Sequence, residues 1–257
     1  MPQNEHRATS RVLDILEMLS SSNDGYTLTE IAKQIKAPKS SIFPIIHTLE
    51  DRHYISLQQN SGKYRIGISA FAVGSTYFNS KSILSHISTA MNELVSVCNE
   101  TCSMGVLNGS NVLYVAKIDS PQSLPLVTHV GKKIPANCTA LGKALLSRTS
   151  FEEMKEIFPP QMLSCTRYSI TDINKFYEQV RNVENEGFAY ENQEFAEQII
   201  CIAVPIVKDG SVLYAISVSI PSFRCDSKKL ITVKNELKKL KLKTELLLRN
   251  YSGDILL

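Results

Sequence analysis

The chain has 257 residues, 43% of them apolar, which suffices for one large or two ordinary globular domains with proper cores. A formal charge of +3 does not mark it as a nucleic-acid binder overall, and no apolar run approaches membrane-spanning length. The opening MPQNEHRATSR lacks the apolar segment of a secretory signal, and six cysteines without paired short spacing fit reduced, mostly buried thiols. A cytoplasmic protein is the expectation.

Three consecutive segments share the apolar spacing i, i+3, i+4, i+7: Val12, Ile15, Leu16, Leu19; Leu28, Ile31, Ala32, Ile35; and Ile42, Ile45, Ile46, Leu49. Each spacing predicts a one-faced helix. Three short amphipathic helices with tight connections bury their stripes against one another and leave the outer face of the third in solvent, the geometry of a helix-turn-helix reader. Thr9 and Ser10 stand where the first N-cap is expected, and Thr27-Leu28-Thr29-Glu30 spells a capping box. Lys36-Ala37-Pro38 reads as the turn, with Pro38 at the first position of a third helix running to about Asp51. Two β-prone runs follow, 54–57 and 64–66, joined by 58–63, and predict a hairpin wing whose tip carries Lys63 and Arg65.

Local charge supports a phosphate-facing surface. Between residues 33 and 65, Lys33, Lys36, Lys39, Arg52, Lys63 and Arg65 face only Glu50 and Asp51. Lys39, Ser40 and Ser41 open the third helix and suit phosphate oxygens, while Phe43, His47 and Thr48 on its outer side are candidates for base edges or a thymine methyl. The outer face holds no Arg, Asn or Gln, so bidentate pairing is unavailable there. Sequence preference then leans on DNA shape, with Arg65 as a minor-groove probe. The bland alternative for each is an ordinary surface residue.

Residues 68–77 predict a short helix leaving this domain. Phe71, Ala72, Gly74, Ser75 and Phe78 suit close packing, either as a lever or dimer contact or against the same domain. A longer helix is predicted over 83–100. From residue 102 the period changes to alternation: 102–107 and 112–118 flank a Gly-containing turn, and 199–207 and 212–220 flank another. Helical stretches at 139–148, 152–158 and 172–186 lie between them, with Gly187 as a stop. Residues 227–249 carry eight Lys or Arg against Glu236 and Glu245, and the spacing of Leu230, Val233, Leu237, Leu240 and Thr244 makes the lysines the solvated side of a helix. The pattern is α+β: a DNA-reading domain at 1–68, a linker helix at 69–82, and an antiparallel-sheet domain at 83–253.

In the second domain, Gly131, Pro135 and the run 137–142 form a loop entering a helix. Ala140, Leu141 and Gly142 there expose backbone N–H groups suited to a carboxylate, although composition alone favours a tight helix–sheet contact that needs small residues. Ser217 and Ser219 alternate with Ile216, Val218 and Ile220, so both hydroxyls share a face that is either a pocket wall or the wet side of a sheet. Lys143 reads as a solvated or structural charge. No catalytic, metal or cofactor site is expected: there is no G-x-S-x-G, no Walker A glycine ahead of Gly142-Lys143, and the five histidines are scattered. Cys98 and Cys102, at i and i+4, belong to a buried helix stripe with Leu94 and Val95 sooner than to a metal site.

Taken together, residues 7–16, 28–32, 38–41 and 64–67, then Gly131 with Pro135, 139–144, 187–189, 201–205 and 217–219, resemble the IclR family of bacterial transcriptional regulators across essentially the whole chain. The resemblance implies a winged helix-turn-helix, a linker helix and a GAF-like domain that binds a small, carboxylate-bearing or aromatic effector. It also implies a dimer, or a dimer of dimers, on a palindromic operator. It adds Glu191 and Cys201 to the candidate pocket wall and favours the pocket for Ser217, Ser219 and the 139–142 run. Two departures stand out. Pro44 occupies a position where the family often carries arginine, and the usual acidic cluster appears as Glu191-Asn192-Gln193-Glu194, with Gln198 and Ile200 in place of a glycine and an arginine. The resulting expectation is a DNA-binding regulator controlled by a small metabolite. One alternative is a metabolite sensor whose N-terminal module serves protein docking or dimerisation; a weaker one is an enzyme of the second domain.

Overall fold

The computed structural model describes residues 6–75, 83–122 and 128–251. Two compact units emerge, Met1–Ser80 and Lys81–Leu257.

The first unit runs α1 (Arg7–Ser20), β1 (Tyr26–Thr27), α2 (Leu28–Gln34), α3 (Lys39–Asp51), β2 (Ile55–Gln58), β3 (Lys63–Ile66) and α4 (Ile68–Ser75). The three stripes meet as the spacing requires: Ile15, Leu19, Ile31, Ile42, Ile46 and Leu49 form one buried cluster with Ile55 and Tyr64. The capping box forms, Glu30 accepting from the Thr27 N–H at 2.7 Å while the Glu30 N–H donates to the Thr27 hydroxyl. Two helix starts differ from expectation. His6, and neither Thr9 nor Ser10, caps α1, its Nδ1 accepting from the Thr9 N–H. Pro38 is the N-cap of α3 rather than its first residue; its carbonyl accepts from the N–H groups of Ser41 and Ile42.

The hairpin is the larger part of a three-stranded sheet ordered β1-β3-β2, because Tyr26 pairs with Tyr64 and Thr27 with Lys63. Gly25 makes that third strand possible. It adopts φ +72°, and a Cβ there would stand 2.2 Å from the Tyr64 carbonyl oxygen. α4 buries none of its residues, leaving Ile68, Phe71 and Val73 more than half exposed; the predicted continuation to residue 77, and Phe78, fall outside the described residues.

The second unit has a six-stranded antiparallel sheet ordered β6-β5-β4-β9-β8-β7. Its strands are β4 (Thr101–Asn108), β5 (Asn111–Ile118), β6 (Lys133–Pro135), β7 (Ala189–Asn192), β8 (Ile199–Lys208) and β9 (Ser211–Pro221). Its helices are α5 (Ile83–Cys98), α6 (Ala140–Leu145), α7 (Phe151–Ile157), α8 (Ile173–Glu186) and α9 (Ser227–Asn250). α6 packs on β8, β9 and α8, while α5 and α9 pack on each other and on the sheet. Both faces of the central strands are therefore buried: Ala203 and Ala215 join the α6 cluster, and Ile202, Val204, Ile216, Val218 and Ile220 are fully buried on the alternate face.

Local stops follow the sequence. Asp172 caps α8, and Gly187 ends it in the left-handed conformation at φ +76°. Cys102 lies on β4, so it does not extend the α5 stripe that ends at Cys98. The basic face of α9 is only partly solvated: Lys229 reaches buried Glu100 at 3.3 Å alongside Arg224, and Lys234 lies over the rings of Phe188 and Tyr190.

Candidate functional site

In the first unit, Lys39, Ser40, Phe43, His47 and Thr48 are exposed on α3 and Ser41 is half-buried. Local bonding limits what some of them offer. The Ser41 hydroxyl donates to the Pro38 carbonyl at 2.8 Å, and the Thr48 hydroxyl donates to the Pro44 carbonyl at 2.8 Å. His47 Nδ1 sits 2.9 Å from the Asp51 carboxylate. α3 runs unbroken through Pro44. In the hairpin, the turn that forms the tip is 59–62, so Lys63 begins β3 and Arg65 sits within it, opposite Ser56. Arg65 is half-buried, beside Gly25, and its Nε is buried without a partner among the described residues. Lys63 therefore closes the turn, paired with Gln58, while Arg65 is set back from the tip in the central strand.

In the second unit, α6, β7, β8 and β9 converge on a cavity of about 230 Å³. Ala140, Leu141, Glu191, Cys201, Ser217 and Ser219 all line it. Gly142 does not. Its N–H donates to the Thr139 hydroxyl that caps α6 at 2.9 Å, and a Cβ there would lie 2.1 Å from the Ala136 carbonyl oxygen, so its smallness serves a close backbone approach. Tyr114, Thr128, Thr139, Ile199 and the loop segment Phe195 to Glu197 complete the wall. The loop residues carry no periodic signal, and sequence reasoning passed over them.

Strand register builds the polar side. Glu191 pairs with Cys201, which pairs with Ser219, so three side chains from three strands stand in one row on one face. The Cys201 sulfur lies 3.3 Å from the Ser219 hydroxyl. Glu191 is 1% exposed, and its Oε1 accepts from the backbone N–H groups of Glu194 and Phe195. Burial outweighs those bonds and raises its carboxyl above the usual glutamate range. Burial likewise pushes the Cys201 thiol well up, with Glu191 adding to the effect. Among the described residues no Lys or Arg lines the cavity.

The loop over the cavity is anchored from α6. Lys143 is 1% exposed and donates to Glu194 Oε1 at 2.6 Å, Gln179 Oε1 at 2.6 Å and the Tyr190 carbonyl at 2.9 Å. It is a buried structural charge, not a solvated one. Thr166 and Ser169 hydroxyls hold the Gln193 and Glu194 carbonyls at 2.7 and 2.6 Å. Among the described residues no three His, Cys, Asp or Glu side chains are grouped to hold a metal ion, and no helix is long and apolar enough to cross a membrane.

The helix-turn-helix model of IclR matches residues 8–58, and the C-terminal model of the bacterial transcriptional regulator IclR matches residues 75–244. The chain belongs to the IclR family. It is therefore a DNA-binding transcriptional regulator with a C-terminal effector-binding domain, and not an enzyme. Among its relatives, the HTH-type transcriptional regulator KdgR of Dickeya chrysanthemi is 28% identical over 216 residues, covering 83% of this chain and 70% of that protein. An IclR transcriptional regulator from Alicyclobacillus acidocaldarius shares the fold with a TM-score of 0.83 at 19% identity, covering 95% of this chain and 99% of the other. An IclR homolog from Microbacterium hydrocarbonoxydans, complexed with 4-hydroxybenzoate, shares it with a TM-score of 0.77 at 20% identity, covering 95% and 100%.

Proposed function

We propose that this IclR-family regulator binds double-stranded operator DNA through α3 and the β2–β3 hairpin and is controlled by a small carboxylate-bearing metabolite in the α6–β7–β8–β9 cavity. The observation that carries the effector reading is the composition of the wall: Ser217, Ser219, Tyr114, Thr128 and Thr139 bring hydroxyls and Glu191 a buried carboxyl beside the first turn of α6, Glu197 is the other acidic group, and among the described residues no Lys or Arg lines it. Neutral donors bind a carboxylate by hydrogen bonds alone. Burial raises the Glu191 carboxyl above the usual glutamate range, which extends upward in pH the range over which its O–H can donate to a bound carboxylate. The size agrees with a small ligand, since about 230 Å³ lies below the roughly 300–1,000 Å³ of sites for drug-sized molecules. The Microbacterium homolog complexed with 4-hydroxybenzoate adds support, because that ligand is itself a small carboxylate.

On the DNA side, Lys39 and Ser40 at the start of α3, with Lys63 beside the hairpin turn, supply phosphate contacts that set register. A homodimer, or a dimer of dimers, would place two reading helices on the half-sites of a palindromic operator. The effector regulates by binding the operator-competent and operator-incompetent states with different affinity.

Calorimetric titration with small aromatic and aliphatic monocarboxylates, each paired with its methyl ester, tests this reading. Acids are expected to bind more tightly at mildly acidic than at basic pH, and esters weakly. Ser217→Ala combined with Ser219→Ala should cost about tenfold in acid affinity, as expected for one or two lost hydrogen bonds, with duplex affinity retained. Esters binding as tightly as acids would remove the carboxylate from the proposal. Dimerisation without binding to any duplex would favour the docking alternative instead.

A further inference from the structure

One stripe of α3 faces away from the three-helix core: Ser40, Phe43, Pro44, His47 and Asp51, all exposed. For a surface that reads bases, its chemistry is unusual. It holds no Arg, Lys, Asn or Gln, the side chains that pair bidentately with guanine or adenine in the major groove. The polar groups beside it are spent locally: the Ser41 and Thr48 hydroxyls donate to carbonyls of α3's own first turns, and His47 Nδ1 is held by Asp51. Beside the Ser40 hydroxyl and His47 Nε2, what the stripe offers is apolar. Phe43 is 53% exposed, its ring 6.1 Å from that of His47, and Pro44 continues the ridge beside it. Pro44 also has no N–H, so it makes no helical hydrogen bond to the Ser40 carbonyl.

We propose that the Phe43–Pro44 ridge reads thymine 5-methyl groups, so that T·A pairs at the steps facing it define the operator half-site. The inference rests on the DNA-binding reading above and names the base feature that this same surface takes. The major groove presents one apolar group among its base edges, the thymine methyl, and an exposed ring with a neighbouring pyrrolidine is a surface on which it is buried rather than hydrated. Lys39 lies beside the ridge and fixes it on the backbone without contributing sequence information.

Duplexes enriched from a random pool by the full chain, followed by replacement of each thymine with uracil one position at a time, test the idea directly. Uracil keeps every hydrogen-bonding edge and removes only the methyl. One or two positions per half-site are expected to lose about fourfold in affinity, the equivalent of roughly one buried methyl. Phe43→Ala should bind thymine and uracil duplexes alike, and Phe43→Leu should restore the difference. Enriched duplexes whose affinity is indifferent to every uracil replacement would overturn this inference and leave DNA binding standing. Failure to enrich any duplex over mock competitor would overturn the DNA-binding reading, and the inference with it.

Discussion

Replacing Lys143 with methionine tests how the loop over the cavity is held. The ammonium is 1% exposed and donates three hydrogen bonds, to Glu194 and Gln179 at 2.6 Å and to the Tyr190 carbonyl at 2.9 Å. Methionine fills similar volume but leaves Glu194, 6% exposed and with Oε2 already lacking a partner, as an uncompensated buried carboxylate. Breaking a buried pair from one side costs about 3–5 kcal/mol, a large share of the roughly 5–15 kcal/mol that holds a domain together. For a unit of this size, at about 2–4 °C per kcal/mol, the second unit's melting temperature should fall by roughly 6–20 °C.

The deficit should depend on pH. Burial already raises the Glu194 carboxyl above its ordinary 4.5, and Lys143 is the attraction that opposes this; without it the native carboxyl rises further. Between the unfolded value and the raised native one, the folded state holds a proton that the unfolded state has lost, so stability falls as pH rises through that window. Lys143→Met should therefore be closest to wild type under acid conditions. Lys143→Met with Glu194→Leu should recover most of the loss. Thermal melts across pH provide the assay. A single variant within about 0.5 kcal/mol of wild type, or a double variant no better than the single one, would refute the account.

Glu191→Gln should flatten the pH dependence of the second unit: the wild-type carboxyl is raised by burial, so wild type loses stability as pH rises above 4.5 through the raised value, and the amide does not. Parallel melts of the two proteins check this. Gly142→Ala drives a Cβ to 2.1 Å from the Ala136 carbonyl oxygen, which belongs to backbone and not to a flexible side chain, so a loss of about 1–3 kcal/mol is expected in urea unfolding. Ser40→Glu puts a negative charge at the start of α3 and should weaken duplex binding by about tenfold at low salt, less as salt rises, when measured by fluorescence anisotropy.

Much of this architecture was legible because it is written in local periodicity. The three helical stripes, the Thr27–Glu30 capping box, the alternating hairpin runs and Gly187 all report backbone preferences within a few residues of themselves. The start of α1 was misplaced because His6 competes with Thr9 and Ser10 for the same capping task, and its ring nitrogen does so from outside the usual set of capping residues. β1 and β6 went unseen because strands of two and three residues carry too little alternation to register. Arg65 lies in the wing but back from its tip, because the β2–β3 pairing runs out to Gln58 and Lys63 and leaves only 59–62 as the turn.

By itself the amino-acid order determined the family, the helix-turn-helix and the alternating strands, since each depends on spacing along the chain. Only tertiary structure decided what those strands meet. Ser217 and Ser219 read equally as a wet sheet face until α6 covered that side. The row of Glu191, Cys201 and Ser219 exists only through the registers of β7, β8 and β9. Lys143 acquires its partners from residues 36 to 51 positions away. Register and burial are relations between distant segments, fixed by packing rather than by propensity, and the chemistry of the cavity depends on them.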